Sequence, residues 1–464
     1  MINILKVVID GLFYRFDYEI DMTGNKKKLC ILSAPNGYGK STILKIIHKL
    51  AQGDLDFFIH ESYREITFEF DNESICKISK RIGSMGDDEL LITNGEKEFT
   101  YSLKNRSHLR ERGGMGFDFY VEREFPYLER TSRDEWFDHS CDEVLDRHDI
   151  YFKYIKNNDR LKSARKGRIP EWWNLLIASL SVYFISTSRL KQDIDDSIRR
   201  SREGIENSIV THIASEIKEQ IRIAIRNQFE EGRKKETSFP TRLIEALNNV
   251  SPPSKSSVVD AINNLQKLEE KYGRLGIIPN AKTTQQLNEH LNLTESLGLV
   301  VLKTYLDDIV QKFSLLNELS DRLDLFCTSV NNFLSFKEIS TSADDGIIVH
   351  LKDDTENEIS SQESNDKRNV PLLGLSSGEQ HLIVLLGRLI FGTRKGSLVL
   401  IDEPEISFHP EWQEGFLEII NKVQDLNSLN IIIATHSYIL IGDDHWDNSI
   451  DLSDQYEERK SKKQ

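Results

Sequence analysis

Lys40 and Ser41 close the run Ala34-Pro-Asn-Gly-Tyr-Gly-Lys-Ser41, and Asp402 and Glu403 follow the apolar run Ser397-Leu-Val-Leu-Ile401. A lysine and a hydroxyl at the end of a glycine-rich loop, with paired acids after a buried strand, are the residue types that grip a nucleoside triphosphate and its divalent cation. The cradle comprises Asn36, Gly37, Tyr38, Gly39, Lys40, Ser41 and Thr42. Gly37 and Gly39 let successive main-chain N–H groups turn inward around a phosphate, and a helix starting near Lys40 presents its positive end. Lys40 then reaches the β- and γ-phosphates, Ser41 and Asp402 are the expected Mg2+ ligands, and Glu403 is placed to orient or deprotonate the attacking water. The first glycine of the usual GxxxxGK[ST] pattern is Ala34 here, a small residue at the position that opens the turn. Asn421-Lys-Val-Gln-Asp425 is a near miss to the guanine-reading NKxD, with its acid one residue late and ahead of its strand. ATP with Mg2+ is the expected ligand pair.

Two further segments complete the pattern. The apolar run Asn427-Ser-Leu-Asn-Ile-Ile-Ile433 reads as a core strand, and it ends at Ala434-Thr-His436-Ser. A histidine just past a buried parallel strand faces the crevice where ligands bind, so His436 is a candidate γ-phosphate contact; packing in the core is its plainer role. Leu375-Ser-Ser-Gly-Glu-Gln380 opens the apolar run His381–Ile390, which puts Ser376, Ser377, Gly378 and Glu379 at a helix N-terminus. Such an end can simply cap itself. Because one phosphate cradle is already complete, a second anion-seeking helix end makes sense if it closes over nucleotide held by a twofold-related copy. A homodimer, or a higher even-numbered homo-oligomer, is the expected assembly.

Taken in order, these motifs resemble those of ABC-type ATPases, and LSSGE leans toward the SMC-like and OLD-like branch. Asp402-Glu-Pro-Glu-Ile-Ser-Phe-His-Pro410 is similar to the DEPE…HP segment of that branch. A narrower resemblance is to the ATPases of Septu-type anti-phage systems (the PtuA family, retron-associated forms included). It is carried by Gly11-Leu-Phe-Tyr-Arg-Phe-Asp-Tyr18, Pro35-Asn-Gly-Tyr-Gly39, Ile169-Pro-Glu-Trp-Trp173 and Val182-Tyr-Phe-Ile-Ser-Thr-Ser-Arg-Leu190. The resemblance implies an α/β fold: an ABC-type P-loop ATPase head, a mixed sheet with an antiparallel β-section, carrying a large helical or coiled-coil insertion. It also implies a partner, a separately encoded HNH endonuclease whose cutting this chain regulates. The strand Ser181–Ile185 would lead to the Q-loop equivalent, where Ser188 and Arg189 stand in place of the usual Gln; an internal charge pairing is the simpler role for Arg189.

The elements that must position these residues can be read in outline. Met1-Ile-Asn-Ile-Leu-Lys-Val-Val-Ile reads as a first strand, and residues 55–103 alternate apolar and polar around an Asn94-Gly95 turn, as an antiparallel section does. Isoleucines at 194, 198, 205, 209, 213, 217 and 221 form a helical stripe; Leu302, Ile309, Leu316, Leu323 and Val330 recur every seventh residue, predicting a helix of roughly 50 Å. The expected division is 1–189 and 337–464 as the two lobes of the head, with 190–336 as a helical arm. Lys153–Arg168 is the densest basic stretch, either a solvated face or a DNA-backbone contact. The polar stretch 352–369 carries no element pattern.

A chain of 464 residues with 38% hydrophobic and 29% charged residues suits two or three structural units rather than one core. No apolar run reaches the roughly 20 residues that span a bilayer, and no secretion-signal layout opens the chain, so the expected location is the cytoplasm with no membrane contact. Cys30, Cys76, Cys141 and Cys327 are scattered, without zinc spacing, and read as reduced thiols. A formal charge of −15 argues against general coating by nucleic acid. Three other functions stay open: an SMC-like DNA-maintenance or repair clamp, an OLD-type nuclease, and a transporter motor. The arms look short for the first, only 28 residues follow His436 for the Toprim domain the second requires, and the long insertion disfavours the third.

Overall fold

Strands of two kinds are written into this chain, and they assemble into two principal sheets. The computed structural model describes residues 2–23, 28–82, 88–102, 169–187, 209–248, 253–278, 296–352 and 369–463, with three short strands between 128 and 146. The N-terminal part runs β1 (Ile4–Leu12), β2 (Phe16–Asp21), β3 (Leu29–Ser33), α1 (Lys40–Gln52), α2 (Leu55–His60), β4 (Glu65–Phe70), β5 (Ile75–Ile82), β6 (Asp88–Asn94) and β7 (Lys97–Ser102). A small antiparallel sheet follows, of β8 (Leu128–Arg130), β9 (Glu135–Asp138) and β10 (Glu143–Asp146), then α3 (Glu171–Ser179) and β11 (Val182–Ile185). Four helices come next: α4 (Ile209–Asn248), α5 (Lys255–Arg274), α6 (Ser296–Ser314) and α7 (Asn317–Asn331). The C-terminal part holds the hairpin β12 (Lys337–Ser342) and β13 (Gly346–Leu351), then α8 (Ser377–Phe391), β14 (Leu398–Asp402), α9 (Pro410–Asn427), β15 (Asn430–Thr435), α10 (Tyr438–Ile441), β16 (Ser449–Asp451) and α11 (Leu452–Lys463).

The alternating strands form an antiparallel sheet in the order β2-β1-β4-β5-β6-β7. The continuously apolar strands form a wholly parallel sheet in the order β11-β14-β15-β3-β16, as expected of strands buried on both faces. Alternate residues of these strands face two different cores. Leu32, Leu400 and Ile432 join Ile43, Leu44, Ile47 and Leu50 of α1 and Ile9 and Tyr18 of the antiparallel sheet, so α1 lies between the sheets. Ile31, Val399, Ile401, Ile431 and Ile433 join α8, α9, α7 and the first half of α4.

The α/β class and its antiparallel section are as the sequence predicts, with that section standing as a sheet of its own. Some expectations need correction. Residues 55–60 are helical, because the Asp54 carboxylate caps the main-chain N–H of Phe57. The strand expected from Asn427 begins at Asn430, because Ser428 adopts a left-handed φ of 51° and terminates α9 there. The seven-residue repeat does not make one long helix: the chain turns at Leu315–Leu316, leaving α6 and α7 at about 28 Å and 22 Å by ~1.5 Å per residue. Leu316 caps α7 while staying buried, so the repeat survives the break. Its two halves then serve different cores: Leu302, Leu306 and Ile309 pack with Val258, Ile262 and Leu265 of α5, whereas Leu323 and Val330 belong to the core under α8. Ile209, Ile213, Ile217 and Ile221 also enter that core, and a Cβ on Gly387 of α8 would come within 2.5 Å of the Ile213 side chain. Lys153–Arg168, Ser188, Arg189, Ile194, Ile198, Ile205, Cys141 and residues 353–368 lie outside the described residues; Cys30, Cys76 and Cys327 are free thiols.

Candidate functional site

The parallel sheet brings the carboxyl ends of β11, β14, β15 and β3 side by side, with Asp402 in register with Ala434 and Thr435 in register with Ser33. From the end of β3 the loop turns through Gly37 and Gly39, at φ 90° and 84°, and α1 starts at Lys40. Glycine suits position 39 by its φ, and a Cβ there, 2.9 Å from the Leu12 side-chain end, would also make Leu12 shift; a Cβ on Gly37 would meet open space. Pro35, Asn36 and Gly37 are exposed, Tyr38, Ser41 and Thr42 half-buried, and Ala34 and Lys40 buried. The Lys40 ammonium donates to the carbonyls of Ala34 (2.7 Å) and Pro35 (3.2 Å), folding back on its own loop. Burial pushes this ammonium below its ordinary pKa, while the carboxylates of Glu403, Glu405 and Asp402 act the other way.

The loop is braced from the antiparallel sheet and the C-terminal helix. The Tyr18 hydroxyl donates to the Tyr38 carbonyl at 2.8 Å, and the Tyr38 ring lies 5.6 Å from that of Phe16 and 6.4 Å from that of Tyr456 on α11. Arg15 sits over the rings of Phe16 and Tyr456. Nothing in the glycine-rich motif signals this brace, because its members come from both ends of the chain.

Asp402 is buried, and each of its oxygens has a hydroxyl partner. Oδ1 accepts from Ser41 Oγ and Oδ2 from Thr187 Oγ1, both at 2.9 Å. Thr187, just beyond the end of β11, is the residue that sequence reading missed: it occupies the place where the expected sensor segment begins. A carboxylate flanked by hydroxyls is a hard-oxygen set that suits Mg2+ completed by nucleotide phosphates. Among the described residues no group of three or more His, Cys, Asp or Glu could hold a metal unaided.

Glu403 adopts a φ of 46° immediately before Pro404, a conformation that costs a non-glycine residue roughly 1–3 kcal/mol and is disfavoured before proline. Its main-chain N–H bonds the Ala434 carbonyl at 2.8 Å, and its carboxylate lies 3.9 Å from His436 Nδ1. His436 is half-exposed and lines, with Pro35, Asn36 and Tyr438, a cleft of about 290 Å³ beside the glycine-rich loop. Lys40, Ser41, Asp402, Glu403 and His436 are therefore gathered at one end of one sheet.

Ser376, Ser377, Gly378 and Glu379 stand apart from that gathering in their bonding. Ser376 and Glu379 form a reciprocal capping box at the start of α8, and Lys337 bonds both oxygens of Glu379 at 2.8 and 2.9 Å. Burial alone would raise the Glu379 carboxyl, but hydrogen bonds from Lys337 and Ser376 outweigh it and hold the group below its ordinary value. Ser376 and Ser377 are exposed, so the end of the helix faces outward. Gly378 has a steric reason to be glycine: a Cβ there would lie 2.7 Å from the Ser407 carbonyl oxygen. Gly378→Ala is expected to destabilise the fold by about 1–3 kcal/mol through that clash, read as a lower urea midpoint at unchanged slope.

Comparison with known proteins adds a family model. Residues 278–442 match the model described as "AAA domain, putative AbiEii toxin, Type IV TA system". The family so described is one of ATPase domains. The matched stretch is just over a third of the chain; it takes in α8, Asp402, Glu403 and His436, and the glycine-rich loop lies N-terminal to it. A stretch of 70 residues is 37% identical to Protein ea59 of Escherichia phage lambda, covering 15% of this chain and 13% of that protein. Among solved structures, the Smc head domain with an extended coiled coil from Pyrococcus furiosus, bound to the C-terminal domain of ScpA, aligns over the whole of both chains at 11% identity and a TM-score of 0.36. The SMC head domain from Thermotoga maritima aligns over 95% of this chain and 91% of its own at 11% identity and a TM-score of 0.32. These overlaps are loose, and the fold rests on the strand orders above. No helix among the described residues is long and apolar enough to cross a membrane.

Proposed function

We propose that this chain binds ATP with Mg2+ at the end of β3 and hydrolyses it. Asn36, Gly37, Tyr38, Gly39, Lys40, Ser41 and Thr42 form the phosphate cradle, and Ser41 and Asp402 hold the cation, with Thr187 orienting the carboxylate. Once bound, the cation would neutralise charge on the phosphates. Glu403 orients or deprotonates the attacking water, and His436 stands beside the terminal phosphate. One observation carries this reading: Ser41 Oγ bonds Asp402 across 361 positions of sequence, which unites the lysine-bearing loop and the acidic strand end in one site.

In this proposal the active form is a dimer, or an even-numbered multiple of it, in which the outward-facing start of α8 from one copy closes over nucleotide held by the other. Its exposed Ser376 and Ser377, at the positive end of a 15-residue helix, suit a terminal phosphate. Ser376→Arg is expected to keep ATP affinity within about threefold while turnover falls about tenfold or more, since Ser376 would act only across the closed dimer. Equal loss of affinity and turnover would move Ser376 into the chain's own pocket.

The biological role we propose is regulation of a separately encoded HNH nuclease in a cytoplasmic anti-phage complex. Support comes from the Septu-type segments of the sequence and from a family model whose description names a putative toxin of a type IV system. DNA contact through Lys153–Arg168 belongs to the same proposal. Co-purification of a neighbouring gene product bearing HNH residues tests it; a chain that purifies alone from cells expressing that neighbour counts against it.

A further inference from the structure

Glu405 lies two residues beyond the general-base candidate and is more deeply buried than Glu403, with its side chain 4% exposed against 21%. Burial of a carboxylate is costly unless its partners repay it. Its Oε1 accepts from Thr435 Oγ1 at 2.6 Å and from the main-chain N–H of His436 at 3.0 Å, and stands 3.2 Å from His436 Nδ1. Its Oε2 is buried without a hydrogen-bond partner among the described residues. A carboxylate kept at that cost, with its side-chain hydrogen bonds on Thr435 and the His436 main chain and its ion pair on the His436 ring, has a role at the histidine besides its longer-range pull on Lys40.

We propose that Glu405 is the positioning residue of His436, fixing both its main chain and the proton on its ring. This rests on the ATPase reading for its consequence in turnover, but the pairing stands on the geometry alone. His436 Nδ1 lies 3.2 Å from Oε1 of Glu405 and 3.9 Å from Oε1 of Glu403. A lone pair on Nδ1 would confront two carboxylate oxygens, whereas a proton there is attracted by both, so the neutral ring carries its proton on Nδ1. Nε2 is then left for a ligand in the cleft that His436 shares with Pro35 and Asn36. In the neutral ring Nε2 accepts a hydrogen bond, from water for instance; it donates to a phosphate oxygen only when the ring is an imidazolium.

The test has two arms. In the nucleotide-free full chain labelled with 15N-histidine, the His436 shifts are expected to report the Nδ1–H tautomer in wild type and in Glu405→Gln, whose side-chain oxygen can still accept. In Glu405→Ala the preference weakens, because only the more distant Glu403 carboxylate remains beside Nδ1, and the shifts move toward a mixture of tautomers; unchanged His436 shifts in this variant overturn the proposal. In turnover, Glu405→Ala is expected to lower kcat about 10–100-fold with KM for ATP within about threefold, as for other groups that orient a functional histidine. Glu405→Gln recovers most of that loss. The Glu405→Ala/His436→Ala double variant falls no further than His436→Ala, since residues acting as a unit are not additive. Additive losses mean that Glu405 acts through the fold instead, and overturn it. If wild type turns over no ATP, the ATPase reading fails, and the tautomer arm still decides the pairing.

Discussion

Lys40→Ala is expected to abolish measurable ATP binding. The ammonium is buried at the root of the loop, and its present partners are the carbonyls of Ala34 and Pro35, groups a nucleotide can release by offering phosphate oxygens instead. Around it stand three carboxylates, Asp402, Glu403 and Glu405, and their charges oppose the effect of its burial without outweighing it. Without the lysine, a triphosphate would enter a pocket dominated by acids. Two charge-assisted hydrogen bonds to phosphate at about 1.5–3 kcal/mol each amount to about 3–6 kcal/mol, or roughly 10²–10⁴-fold in affinity. Equilibrium titration with a fluorescent ATP analogue measures this. A dissociation constant within threefold of wild type would remove Lys40 from the phosphate site.

Much of this site is legible in the sequence because its chemistry is local. The glycines, Lys40 and Ser41 share one short segment, and a strand of four apolar residues that runs into two acids signals its own burial and its own end. What escapes is what the sheet order creates. Thr187 reaches Asp402 because β11 lies beside β14, although 215 positions separate the two residues. The brace of Tyr38 by Tyr456, and the bonding of Gln455 to both main-chain groups of Glu19, likewise join opposite ends of the chain. Glu405 escapes for another reason. In Asp402-Glu-Pro-Glu405 the acids look alike on paper, and the left-handed backbone of Glu403 before Pro404 is what separates a half-shielded carboxylate from a buried one. The turn at Leu315–Leu316 is invisible to periodicity because the buried Leu316 keeps its place in the repeat while capping a new helix.

Glu403→Gln is expected to separate binding from hydrolysis. The amide keeps the size and hydrogen-bonding reach of the side chain, and nothing at Lys40, Ser41 or Asp402 changes, so ATP still binds. It cannot take a proton from water. Loss of a positioned general base typically costs about 10²–10⁴-fold, so kcat is expected to fall by at least about 10² while ATP affinity stays within threefold. If nucleotide is the bridge between copies, this variant accumulates in the bridged state, because the step that opens the dimer no longer occurs.

The molar mass of Glu403→Gln in solution, with and without ATP and Mg2+, therefore tests the shared site most directly. Light scattering on the eluting protein is expected to show mass doubling, or an even multiple of it, when nucleotide is added, and the further change Ser376→Arg abolishes that increase. The same mass in both conditions, with ATP shown to be bound, would mean that the start of α8 does not close over a neighbour's phosphate.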